Sequence, residues 1–188
     1  MSPPAPFRSM LKRFAGSRRG STAVEFAMVS VPFFMLLFGV LELGLMFMTS
    51  AALETGAISV ARQIRTGQIQ GTGNDTSAGF KSLICTGITW ISTADCNASL
   101  SVDVRTFATF GAITMTAPVK NGSIDPTQLQ YSSGVSCNIV LVRIFYPYSL
   151  YTPLLDPGLP NLGTTQRLLT SAVAFRNENW ATNGPACL

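Results

Sequence analysis

The sequence contains no histidine. The familiar Ser-His-Asp and Cys-His arrangements for nucleophilic catalysis are therefore excluded. It has no C-x-x-C spacing either, so a structural zinc site would need four thiolates at unusual spacings. Charged residues are scarce, at 12% of 188 residues. There is no acidic residue among the first twenty and no cysteine before Cys85. The formal charge of +4 is consequently local: Arg8, Lys12, Arg13, Arg18 and Arg19 lie in that acid-free start, and the remaining chain is nearly neutral. A basic face for nucleic acid is not supported. Ser-Lys chemistry through Lys81 or Lys120 is open in principle, but no motif singles one out. No catalytic residue, metal ligand or cofactor site is expected.

What is abundant is apolar surface. The mean hydropathy is +0.32, and much of the excess sits in Phe33 to Met48. From Ala23 to Leu53 the chain is apolar apart from Glu25, Glu42 and a few hydroxyl side chains. Roughly 20 residues suffice to cross the hydrocarbon core, so this run predicts one transmembrane helix that projects beyond the bilayer. The five basic residues before it mark the cytoplasmic side. A cleaved secretory signal is the competing reading, with Ser50-Ala51-Ala52 as its cleavage site. Its apolar core would be only about 7 to 15 residues, shorter than this run. Pro32 should remove one helical hydrogen bond. Leu53, Ala57, Val60, Ala61 and Ile64 continue an apolar stripe at helical spacing. Arg62 and Arg65 suit the carboxyl end of a helix and Gly67 its stop. A helix from about Ser21 to Thr66 would be about 70 Å long, with the stripe packed on the domain's own sheet.

Beyond Gly67 the pattern is mixed. A loop runs to about Asp75. A short helix follows with Phe80, Leu83 and Ile84, capped by Asp75 or Thr76. A second short helix is expected around Trp90 and Ile91. Strands are read at Leu100 to Arg105, at Ile139 to Tyr146 and at Leu168 to Arg176, with a further one at Ala112 to Met115. The proline- and tyrosine-rich stretch from Tyr146 to Pro160 reads as a loop packed on its sheet. Four cysteines, all after the apolar run, suit two disulfides in an oxidising compartment. Three pairings are possible. Proximity favours Cys85–Cys96, and antiparallel pairing of the Ile139 and Val173 strands favours Cys137–Cys187. The fold class expected is α+β, with a long helix leading into a small antiparallel sheet.

The most informative segment is Arg18-Arg19-Gly20-Ser21-Thr22-Ala23-Val24-Glu25-Phe26. A glycine follows basic residues, an apolar helix starts, and a glutamate stands five residues on. This resembles the processing site of type IV prepilins, in particular the TadE/TadG-like minor pilins (pseudopilins) of tight-adherence, Flp-type pili. Phe38-Gly39-Val40-Leu41-Glu42-Leu43-Gly44, Ala61 to Gly67 and Ala174 to Glu178 are similar to further segments of that family. The resemblance implies that a prepilin peptidase cuts between Gly20 and Ser21. Residues 1–20 would then be a cleaved cytoplasmic leader, 21–66 the pilin-like helix and 67–188 a periplasmic domain. It also implies that Glu25 pairs with the freed amine of a neighbouring subunit. Glu42, deep in the apolar run, is expected to face a partner subunit, or else to bond a nearby hydroxyl. Other pilins, the inner-membrane pilus machinery and membrane lipid are the implied partners, and the inner membrane the implied location. An uncleaved, membrane-tethered periplasmic binding or scaffold protein is the alternative.

Overall fold

A long apolar helix cannot leave water by itself, and the first half of this chain supplies one. In a computed structural model, helix α1 runs Ser21–Arg65. The structure describes residues 20–152, 155, 158–180 and 187; the basic leader expected before Gly20 lies outside the described residues. Two units divide the chain, the first ending at Leu41 and the second beginning at Glu42. In the first, α1 exposes almost every side chain, including Val24, Phe26 and Met28. Phe34 stacks on Phe38, with ring centroids 6.2 Å apart. Pro32 lies inside the helix, and the Ser30 hydroxyl donates to the Ala27 carbonyl at 3.1 Å.

The second unit is an α+β head that includes the carboxyl half of α1. Its other elements are α2 (Ser77–Cys85), α3 (Thr93–Ser99), β1 (Ser101–Phe107), β2 (Val119–Lys120), β3 (Ser123–Ile124), β4 (Ile139–Ser149) and β5 (Gln166–Arg176). Strands β1, β4 and β5 form one antiparallel sheet with β4 central. The stripe Leu53, Ala57, Val60, Ala61 and Ile64 is buried in one cluster with Val102, Val104, Val140, Val142 and Ile144. Each large aliphatic side chain so buried contributes about 2 kcal/mol. The helix therefore forms one wall of the core.

Helix α1 stops where its sequence says. Gly67 takes a left-handed φ of +73°, the Gln68 amide donates to the Gln63 carbonyl at 2.9 Å, and the Gly67 amide donates to the Ile64 carbonyl at 3.1 Å. This is the two-bond Schellman closure. A Cβ on Gly67 would also meet the Trp180 ring at 2.5 Å. Helix α2 begins with the Thr76 hydroxyl accepting from the Gly79 amide at 3.1 Å.

Three expectations are corrected. Trp90 and Ile91 lie in a turn, and the helix forms at Thr93–Ser99 instead. The Cys85–Cys96 bridge holds two α-carbons 5.7 Å apart across eleven residues, so the chain must reverse between them. Ala112 to Met115 is not a strand: Phe110–Ala112 is a 3-10 turn, and the nearby Thr116 carbonyl accepts from Arg143 Nη1 at 2.6 Å. The local hairpin is β2–β3, turned at Asn121 (φ 53°) and Gly122 (φ 74°). An Asn-Gly pair with both φ positive makes the tight turn whose twist suits a hairpin. Finally, β4 runs on through Pro147 to Ser149 rather than ending at Tyr146. Proline is tolerated there because β1 pairs only as far as Phe145, so β4 is an edge beyond that point.

The sheet's second face carries a buried ion pair. Asp103 and Arg143 are cross-strand partners. Arg143 Nη2 lies 2.7 Å from Asp103 Oδ2, with the side chains 4% and 0% exposed. Arg105 Nε donates to Asp103 Oδ1 at 2.9 Å, and the Gln130 amide donates to the same oxygen at 2.8 Å. The carboxylate thus ties two strands to the 116–130 segment. Truncating one partner leaves an uncompensated buried charge, which costs about 3–5 kcal/mol. Asp103→Ala should lower the unfolding midpoint of the detergent-solubilised chain accordingly in chemical denaturation. An unchanged midpoint would show that the network contributes nothing.

Candidate functional site: the anchor helix and its carboxylates

The site residues expected from the sequence fall into three groups along the chain. Gly20 is exposed at the start of α1, and nothing lies within 4 Å of where a Cβ would stand. Ser21 is the first helical residue. Glu25 is exposed one turn later, among the exposed apolar side chains of the first unit. A carboxylate there lies near the positive end of the helix dipole.

Glu42 differs. It is only 7% exposed and belongs to the head. Its Oε1 accepts from the Tyr151 amide at 2.5 Å and its Oε2 from the Thr152 amide at 2.8 Å. The carboxylate expected to face a partner subunit has both oxygens engaged within its own chain. The donors are main-chain amides 109 and 110 residues away in sequence. Two charge-assisted bonds of this kind offset the cost of placing an acid in an apolar run. The Tyr148 phenol is pushed above its ordinary value, by burial first and then by the nearby Glu42 charge.

The four cysteines form two bridges, Cys85–Cys96 and Cys137–Cys187. The first fastens α2 to α3. The second ties the chain past β5 to the residues just before β4. Two further segments singled out in the sequence meet in space. Arg65 Nη2 lies 2.9 Å from Glu178 Oε1, and the Glu178 amide donates to the Arg65 carbonyl at 2.9 Å. Asn177 between them is buried, and its Nδ2 donates to the Ser133 and Val135 carbonyls, each at 3.0 Å.

A groove of about 530 Å³ runs along the α1 side of the head, lined by Ala52, Thr55, Gly56, Ser59 and Trp90 among others. None of its described lining residues is ionisable. It offers a surface and no acid–base group.

One described helix is long and apolar enough to cross a membrane, and it leads into a disulfide-bonded α+β head. These features fit a single-pass membrane protein with a folded head. Residues 20–62 match the model of the TadE-like protein family, the family that the sequence resembles. That match covers Gly20 and nearly all of α1. Comparison with curated proteins and with solved structures gave no match.

The Glu42 bonds yield a specific expectation. Glu42→Ala removes both acceptors, and a hydrogen bond to a charged group contributes about 1.5–3 kcal/mol. Amide hydrogen exchange at Tyr151 and Thr152 should accelerate strongly, while β4 and β5 between Val140 and Ala174 stay protected. Unchanged exchange at those two amides would show that the carboxylate does not hold them.

Proposed function

We infer that this chain is a minor pilin, or pseudopilin, needed to assemble a tight-adherence pilus. The observation that carries the reading is the coincidence of the TadE-like match with one apolar helix preceded by a basic, acid-free leader. The match begins at Gly20, the residue after which processing is proposed. The role is structural rather than catalytic.

The steps follow from the chemistry of the segments. The basic leader keeps the amino end in the cytoplasm while the apolar helix partitions into the inner membrane. This places the head in the periplasm, where disulfides form and persist. A prepilin peptidase cleaves between Gly20 and Ser21. Glycine suits that position because it lets the scissile backbone enter a narrow active site. Cleavage exposes an amine on Ser21. In a neighbouring pilin that amine attracts Glu25, and partial desolvation strengthens the attraction while also costing solvation. Other pilins and the inner-membrane machinery are then the partners of the helix. The head is the part presented beyond the bilayer, and its size argues for a minor subunit. Glu42 serves the chain's own fold in this reading, through Tyr151 and Thr152.

Two substitutions test it. Gly20→Leu should leave a full-length precursor when the protein is produced beside an active prepilin peptidase. Amino-terminal sequencing of the membrane-extracted protein reads the result. A Ser21 terminus in that variant would exclude the proposed site, and an intact Met1 in the unsubstituted protein would favour an uncleaved tether. Glu25→Ala should reduce the number of pili per cell while leaving membrane insertion intact. Pilus numbers equal to those of the unsubstituted protein would remove Glu25 from the mechanism.

A further inference from the structure

Tyr151 combines a fixed backbone with an exposed ring. Its amide is held by Glu42 at 2.5 Å, yet the residue is 84% exposed. Tyr146 and Tyr148, by contrast, pack against the head's core. An aromatic ring left in water forgoes its burial energy, and tyrosine, with an apolar body and a polar tip, is the side chain that membrane interfaces favour.

The position of Glu42 along α1 indicates what covers that ring. The helical residues from Ser21 to Leu41 extend about 31 Å at 1.5 Å per residue, close to the roughly 30 Å of a hydrocarbon core. A span that starts at Ser21 therefore ends near residue 42. Leu45, Phe47 and Met48, just past Glu42, still expose apolar side chains. The apolar environment has not ended before Glu42 is reached. A bare carboxylate at that depth would be costly. The head brings the Tyr151 and Thr152 amides to it, so the same loop that satisfies Glu42 is carried to the membrane surface.

We propose that the corner of the head formed by Glu42, Tyr151 and Thr152 sits in the lipid headgroup layer, with the Tyr151 ring as its interfacial anchor. The partner is the bilayer itself. This rests on the membrane-anchor reading of α1. It adds that this corner of the head meets the bilayer before assembly.

The test is photo-crosslinking of the full chain in vesicles of phosphatidylethanolamine and phosphatidylglycerol. The probe, p-benzoylphenylalanine, replaces Tyr151, Phe34 or Val135 in separate proteins. All three side chains are exposed, so the fold tolerates the change. Val135 marks the other end of the head, where Asn177 bonds its carbonyl and Glu178 pairs with Arg65. Arg65 is about 35 Å further along α1 than Glu42. The expected result, read by mass spectrometry, is a lipid adduct at Phe34 and at Tyr151, the latter at several times the yield at Val135. An adduct at Phe34 with none at Tyr151, equal yields at Tyr151 and Val135, or a protein dimer linked through Tyr151 would each overturn the proposal and leave the anchor standing. No lipid adduct at Phe34 would overturn both.

Discussion

The stripe of Leu53, Ala57, Val60, Ala61 and Ile64 against Val102, Val104, Val140, Val142 and Ile144 is the contact on which the head depends. A sheet with one apolar face must bury that face against another element. Here that helix is the continuation of the apolar anchor. Helix α1 thus supplies both the apolar run and one wall of the head's core. The Schellman closure at Gly67 and the Arg65–Glu178 pair then fix where the helix ends and where the chain after β5 returns to it.

The two faces of the sheet are stabilised by different physics. The α1 face is apolar and held by burial. The other face holds Asp103 with Arg143 and Arg105, and this network accepts only one register. A one-residue slip of β1 on β4 would separate the cross-strand pair and bury unpaired charge. Disulfides act at the margins of this framework. Cys85–Cys96 holds the two short helices, which are too brief to be stable alone. Cys137–Cys187 closes a fifty-residue loop around β4 and β5. A link of that kind contributes about 2–4 kcal/mol, mostly by restricting the unfolded chain.

The two glutamates of the apolar helix show how one residue type serves two ends. Glu25 lies in the first unit, where the surrounding side chains are exposed and apolar. Glu42 lies in the second, buried and bonded to two main-chain amides of its own chain. The TadE-like match spans both positions but ends at residue 62, short of β1, β4 and β5.

The sequence by itself determined the periodic and the local features. The apolar run, the basic start, the stripe after Leu53, the stop at Gly67, a cap at Asp75 or Thr76 and the three main strands each follow from side-chain spacing or from a residue's own backbone preference. Asn121-Gly122 is an equally local signal, for the β2–β3 hairpin, while the more apolar Ala112 to Met115 forms no strand. Tertiary structure alone decided the rest. Asp103 alternates with apolar residues as a solvent-facing side chain would, and only the register with Arg143 makes it a core residue. Pro147 argues against a strand until β1 is seen to end opposite Phe145. The donors to Glu42 come from Tyr151 and Thr152, and every residue but proline carries a backbone amide, so composition and spacing hold no trace of which two will arrive. Contacts between distant backbone groups depend on where the whole chain goes, and that path is set by the packing of the head.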